Sequence, residues 1–198
     1  MPGKFAALRF ADERTTRAEL IGSANTLVRT QAGWRADNTD IDGVKGALGP
    51  VSGRAAVLGS GGTAPAVVVG LAELGVQDIS VVARNPDKAA PLLALGPRLG
   101  VDIRWIELGT PLRDFDVVVS TIPADVAAPH ADSVAATPLL LDAIYDPWPT
   151  PLAATVEAAG GRVVSGLQML LHQAFAQVEQ FTGMPAPKEA MRAALGGQ

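Results

Sequence analysis

The chain of 198 residues contains no cysteine. Disulfides, thiolate metal sites and cysteine nucleophiles are excluded together. Histidine is scarce, with only His130 and His172. They lie far apart, without a carboxylate at ligand spacing, and both read as structural or surface residues, so no metal site is expected. Aromatic residues make up 5% of the chain, and Trp34, Trp105 and Trp148 read as packing anchors. The longest apolar runs, at 64–72 and 138–141, are far too short to cross a membrane. No apolar run follows a basic start, so no signal peptide is expected. There is no Lys/Arg cluster, the net charge is −4 and the pI is about 5.1, which argues against a nucleic-acid partner. What remains is an ordinary globular composition, 48% hydrophobic and 18% charged. The length suits one good-sized core, or one domain plus part of another.

Along the chain, the start runs into a helical pattern, and residues 13–21 read as a short helix burying Ala18, Leu20 and Ile21. Residues 24–30 and 33–36 suggest a hairpin around Ala32-Gly33. Thr39 opens a helix through Leu48, ended by Gly49-Pro50. Short β-branched runs then alternate with helical patterns. The strands are expected at 55–58, 79–83, 102–106, 117–120, 139–142 and 162–164, with helices at 64–74, 86–96 and 151–159. Nearly unbroken apolar strands joined by helices predict a doubly wound parallel sheet of Rossmann type. A long helix at about 168–182 and a short one ending near Leu195 close the chain.

The first strand of this α/β region runs into Gly59-Ser60-Gly61-Gly62-Thr63-Ala64, a G-x-G-x-x-A loop between strand and helix. Gly59 permits the tight turn, Gly61 lets backbone approach a pyrophosphate, and Ala64 packs helix on strand. The free N–H groups at the helix start face the phosphates. Ser60 is not a G-x-S-x-G nucleophile, because position 58 is Leu. The next strand ends in Ala83-Arg84-Asn85-Pro86-Asp87-Lys88, with no carboxylate at its tip for a ribose 2′-hydroxyl. Arg84 can fork onto a 2′-phosphate, with Lys88 one turn on, which favours NADP(H) over NAD. Asn85-Pro86 also suits a helix cap, and the plain alternative for Arg84 and Lys88 is a solvated surface.

Three polar residues stand out in apolar surroundings: Lys4, Asn25 and Asp40. Oxidising a secondary alcohol sends a hydride to nicotinamide and a proton to a base, and the reverse needs an acid at the carbonyl oxygen. A lysine held by a carboxylate serves both directions. Taken singly, Lys4 also reads as a terminal charge, Asp40 as a first-turn acid and Asn25 as a turn residue.

The strings IGSANTLV, DNTDIDG, VLGSGGTAPA, DAIYDPWPTPL and GLQMLLHQAFAQVEQFTG together resemble the shikimate dehydrogenase family, in its motif order, from Met1 to about Gly183. The resemblance implies reversible NADPH-dependent reduction of 3-dehydroshikimate to shikimate, in aromatic amino acid (chorismate) biosynthesis. It implies a cytoplasmic enzyme, monomer or homodimer, with a small-molecule substrate. Pro2-Gly3-Lys4 matches the end of the family's V-T-x-P-x-K stretch, making Lys4 the catalytic lysine and Asp40 its partner and a substrate contact. Asn25 and Gln173 would hold shikimate, and Tyr145 would line the cleft between domains. Gly59, Gly61, Gly62, Thr63, Arg84, Lys88, Thr121, Ile122, Gly166 and Met169 would serve the dinucleotide, the last two at the nicotinamide. The implied division is 1–39 for the remnant of an incomplete α/β substrate domain, 40–165 for the NADP domain and 166–198 for helices returning to the substrate domain.

The family's opening βαβ stretch, with a serine pair for the shikimate carboxylate and a threonine, has no counterpart in this sequence. Ala83 also stands where an asparagine is common. The expectation is an exposed apolar face beside residues 24–30 and weaker shikimate binding, at roughly 1.5–3 kcal/mol per lost charged hydrogen bond. Two further readings stay open at this point: a module that binds NADP without a working substrate site, and a relative acting on quinate or another hydroxy acid.

Overall fold

The computed structural model describes residues 3–196, so Met1 and Pro2 lie outside the described residues. The chain opens with α1 (Gly3–Phe10), β1 (Glu13–Arg14), α2 (Thr16–Ile21), β2 (Thr26–Thr30), β3 (Gly33–Asp37) and α3 (Asp40–Leu48). The larger part follows as β4 (Arg54–Leu58), α4 (Ala64–Glu73), β5 (Asp78–Ala83), α5 (Pro86–Leu93), α6 (Gly96–Leu99), β6 (Asp102–Glu107) and β7 (Val117–Ser120). After α7 (Ala124–Ala127) and a 3₁₀ stretch come β8 (Leu139–Asp142), α8 (Pro151–Ala158), β9 (Arg162–Ser165), α9 (Gly166–Thr182) and α10 (Lys188–Gly196).

Strands β4 to β9 form one parallel sheet in the order β6-β5-β4-β7-β8-β9, the expected doubly wound arrangement. Successive strand residues point to opposite faces. Val57, Val81, Val119 and Leu141 pack into the core beneath α4, while Leu58, Val82, Val118 and Leu140 pack with Leu112, Leu152 and Val156 on the other side. The chain winds outward from β4 to β6 and returns at β7, so a crevice opens at the carboxyl ends of β4 and β7.

The expected helix over 13–21 is shorter than the sequence suggests. Glu13 and Arg14 pair in parallel with Arg35 and Ala36 of β3. That pairing comes from a strand some twenty residues on, which local periodicity does not register. The helix starts after Thr15, whose side chain accepts from the Ala18 N–H, and it stops at left-handed Gly22. Ala18 and Ile21 are buried, whereas Leu20 is half-buried. The expected 86–96 helix divides into α5 and α6. Pro97 offers no N–H to the Leu93 carbonyl, so the helix stops and restarts with Pro97 in the first turn of α6, whereas Pro91 is accommodated within α5. Trp148 is exposed rather than a packing anchor.

Helix α3 joins the two sheets. Small residues on α3 let α9 approach: a Cβ on Gly43 would sit 2.6 Å from the Met169 carbonyl oxygen, and one on Gly46 would meet the His172 ring at 2.0 Å. Asp40 at the start of α3 and Gln173 on α9 are thereby brought to a common neighbour, Asn25.

Candidate active site

Lys4 on α1 and Asp40 at the start of α3 form a buried ion pair, with 8% and 4% of each residue exposed. Charges this far from water need satisfied partners on every side. Asp40 has them: Lys4 Nζ donates to Oδ2, Asn25 Nδ2 donates to Oδ1 at 2.8 Å, and its backbone N–H donates to Asn38 Oδ1 at 3.1 Å. Asn38 is itself fixed by donating from Nδ2 to the Ser23 carbonyl at 3.1 Å.

Asn25 is the hub. Its Oδ1 accepts from Thr26 Oγ1 and the Thr39 N–H, both at 2.8 Å, and from Thr39 Oγ1 at 3.1 Å. Its Nδ2 donates both to Asp40 and to Gln173 Oε1, the latter at 3.1 Å. These bonds at both ends of its amide orient the Asn25 side chain, and through it one oxygen of the Asp40 carboxylate. Lys4, Asn25, Asp40 and Gln173 line one cavity of about 670 Å³, together with Gln177.

A second cavity, of about 620 Å³, opens at the sheet crevice and is lined by Gly59, Gly61, Arg84, Asn85, Lys88 and Ile122. Among the described residues, no carboxylate lines it. Gly59 has φ +107°, and a Cβ there would fall 2.7 Å from both Thr121 Oγ1 and Ile122 Cγ2, so only glycine fits. Before Gly61 and Gly62 the space is open, as a close-lying ligand requires. Gly61, Gly62 and Lys88 also border a third cavity beyond the loop, against α2 and α5. Thr63 precedes α4 with its hydroxyl unused by the helix, whereas Thr121 donates its hydroxyl to the Leu58 carbonyl at 2.8 Å. Arg84 and Lys88 are exposed, and Asn85 caps α5 by accepting from the Asp87 N–H at 2.8 Å.

Gly166 and Met169 lie in the first turn of α9, both buried. Gly166 abuts the Ala143 carbonyl, which a Cβ would meet at 2.2 Å. Gln173 is seven residues further along, about 10 Å at 1.5 Å per residue. One helix thus spans from the crevice end of the large sheet to the Lys4–Asp40 cavity. Tyr145 is exposed on the loop after β8 and is not among the residues lining that cavity.

Residues 166–195 match the family described as Shikimate 5'-dehydrogenase C-terminal domain. A protein of Methylobacterium radiotolerans named shikimate dehydrogenase (NADP(+)) is 38% identical over 95% of this chain and 72% of its own length. The crystal structure of Mycobacterium tuberculosis shikimate dehydrogenase is 74% identical, with a TM-score of 0.96, over 100% of this chain and 76% of that one. A shikimate 5-dehydrogenase from Mycobacterium fortuitum is 66% identical with a TM-score of 0.92, over 98% and 75%.

The chain belongs to the shikimate dehydrogenase family.

Around the residues that the family resemblance picks out, the structure adds others that sequence reasoning missed. Gln177 lines the same cavity one turn beyond Gln173 and donates from Nε2 to Thr26 Oγ1 at 3.3 Å. Its four-residue spacing from Gln173 on one helix was a usable signal. Thr26, Asn38 and Thr39 are almost fully buried polar residues that complete the network. Arg17 was legible only as part of a short helix, yet it pairs with buried Asp37. Among the described residues, no group of three or more His, Cys, Asp or Glu is placed to hold a metal, and no helix is long and apolar enough to cross a membrane.

Proposed function

We propose that this chain catalyses the reversible NADPH-dependent reduction of 3-dehydroshikimate to shikimate, with Lys4 and Asp40 handling the proton. The observation that carries the reading is the buried Lys4–Asp40 pair opening on a cavity ringed by Asn25, Gln173 and Gln177. The names of the relatives support it. The reduced nicotinamide supplies the hydride.

Lys4 donates its proton to the carbonyl oxygen of the substrate as that oxygen gains charge, and in the reverse direction it takes the proton from the hydroxyl. Asp40 orients the amine and stays in place because Asn25 holds its other oxygen. Gln173, whose oxygen faces Asn25 in this structure, presents its amide nitrogen to a substrate hydroxyl. Asn25 meets a hydroxyl by giving up the 3.1 Å contact to Gln173, the longer of its two donations. Tyr145 belongs to the proposed set at the mouth of the cleft.

The residues present fit an NADP dinucleotide. The pyrophosphate would lie over Gly61, Gly62 and Thr63 at the start of α4, whose first N–H groups lack helical acceptors. Arg84 and Lys88 would take the 2′-phosphate, with Gly59, Thr121 and Ile122 shaping the floor and Gly166 and Met169 beside the nicotinamide. The proposed division is a substrate part at 1–39, a nucleotide part at 40–165 and returning helices at 166–198, which follows the separation of the two sheets. A cytoplasmic location is part of the proposal, in keeping with a chain that forms no disulfide.

The test is NADPH formation, read by absorbance, on mixing the chain with NADP⁺ and increasing shikimate. Saturable formation that is faster with NADP⁺ than with NAD⁺, and an Arg84→Gln variant that loses this preference, is the expected result. NADPH binding without any turnover would point instead to a cofactor-binding module.

A further inference from the structure

Beside the active site lies a second charged cluster that the reaction does not use. Asp37, only 3% exposed, accepts from Thr15 Oγ1 at 2.7 Å, from Arg17 Nε at 2.7 Å and from Arg17 Nη2. It also accepts from Gln180 Nε2 of α9 at 2.6 Å, and its carbonyl accepts from the Asn25 N–H at 3.1 Å. The third guanidinium nitrogen of Arg17, Nη1, lies 2.8 Å from Asp42 Oδ2, an ionic contact without hydrogen-bond geometry, and burial still pushes the Asp42 carboxyl up against it. Asp37 and Asp42 stand on either side of Asp40 in the sequence. A single guanidinium therefore grips both ends of the turn whose middle carries the carboxylate that partners Lys4.

We propose that Arg17 is a positioning residue for the reaction: by clamping Asp37 and Asp42 it fixes Asp40 against Lys4 and balances the charge beside that pair. The proposal rests on the reading of Lys4–Asp40 as the proton-handling pair. Arg17 lines no part of the cavity holding that pair, so it acts through the turn and not on substrate. Geometrically, its planar fork fixes Asp37 through two parallel bonds, which a point charge cannot do. Electrostatically, residues 37–42 carry three carboxylates, and Lys4 and Arg17 are the cations set against them. Among the described residues, no charged group other than Lys4 and Asp40 lines the cavity. Lys45 of α3 pairs with Glu73, His172 of α9 packs at Gly46, Arg9 of α1 is exposed and Arg35 of β3 is half-buried. The residues that α9 sends towards the cluster are the neutral amides Gln173, Gln177 and Gln180.

Loss of Arg17 leaves one more negative charge beside the pair, so the acid limb of shikimate oxidation should move to higher pH. The experiment compares Arg17→Met, Arg17→Lys and the double variant Arg17→Met/Asp37→Asn, reading kcat, its pH profile, melting temperature and NADPH affinity. Arg17→Met should lower kcat roughly tenfold or more, as expected for a displaced catalytic group, with NADPH affinity unchanged. Its acid limb should shift up, and the double variant should bring the limb back. Arg17→Lys should keep the limb in place while still lowering kcat, and this arm decides the matter if Arg17→Met does not fold. Wild-type kcat in Arg17→Lys, or a lower melting temperature with no movement of the limb in Arg17→Met, would overturn the proposal. Turnover persisting in Lys4→Ala would instead overturn the reading on which it rests.

Discussion

The six-stranded sheet and the three-stranded sheet of this protein bury different kinds of surface. In the larger one, the strands turn mostly Val, Ile, Leu and Ala inward on both faces, with Ser80, Ser120 and Asp142 as the buried polar exceptions. In the smaller one, the apolar cluster is little more than Ala11, Ala24 and Ala36, and the buried residues nearby include Lys4, Thr26, Asp37, Asn38, Thr39 and Asp40. Apolar burial is non-directional, so it stabilises a shape without dictating the position of one atom. A saturated polar network is directional, and it fixes rotamers at the cost of tolerating little change. The larger sheet is a platform, and the smaller one is a positioning device whose order comes from hydrogen bonds.

Substitutions in the two regions should therefore behave differently. The largest effect is expected from Lys4→Ala, which should lower turnover by roughly 10²–10⁴-fold, the range of a lost acid–base group, while NADPH binding measured by fluorescence persists. Thr26→Val comes next. It keeps the shape but deprives Asn25 of a donor and Gln177 of an acceptor. A loss of about 1–3 kcal/mol in denaturant unfolding is expected, with a drop in kcat/KM for shikimate.

Asp37 gives a pH-dependent version of the contrast. Burial alone pushes its carboxyl up, but the hydrogen bonds from Arg17 and Thr15 outweigh burial and hold it at about 2, against an ordinary 3.8. Because the folded value is depressed, the stabilisation is present above the ordinary value and disappears as the pH falls through about 2. The stability gap between the protein and Asp37→Asn should be about 2 kcal/mol near pH 6 and close as acid is added. The smallest effect belongs to the platform. Ile79→Val, at a fully buried strand position, should cost roughly 0.5–1.5 kcal/mol of stability and leave shikimate kinetics unchanged.

The same contrast governs how much could be read from the sequence. Strands β4 to β9 and the loop from Gly59 to Ala64 were legible because apolar runs, helix periodicity and glycine spacing are local signals. The polar site was not legible in that way. Lys4 and Asp40 are 36 positions apart, and Asn25 meets Gln173 across 148. Residue chemistry marked Lys4, Asn25 and Asp40 one by one, and the resemblance to known motifs joined them to one another and to Gln173 in advance. Where motifs were silent, the site stayed hidden. Neither Arg17 nor Gln177 was singled out by any motif, and β1 exists only because β3 offers it an edge. Tyr145 was placed by its motif alone, and the backbone after β8 leaves it exposed.

The central claim is that Lys4 and Asp40 act as one unit held by the polar network. Turnover of Lys4→Ala, Asp40→Asn and the double variant tests it most directly. If the pair is a unit, the double variant should be no slower than the slower single variant, because the second change removes nothing that still functions. Losses that multiply in the double variant would mean that the two residues contribute separately, and the account of the site would be wrong.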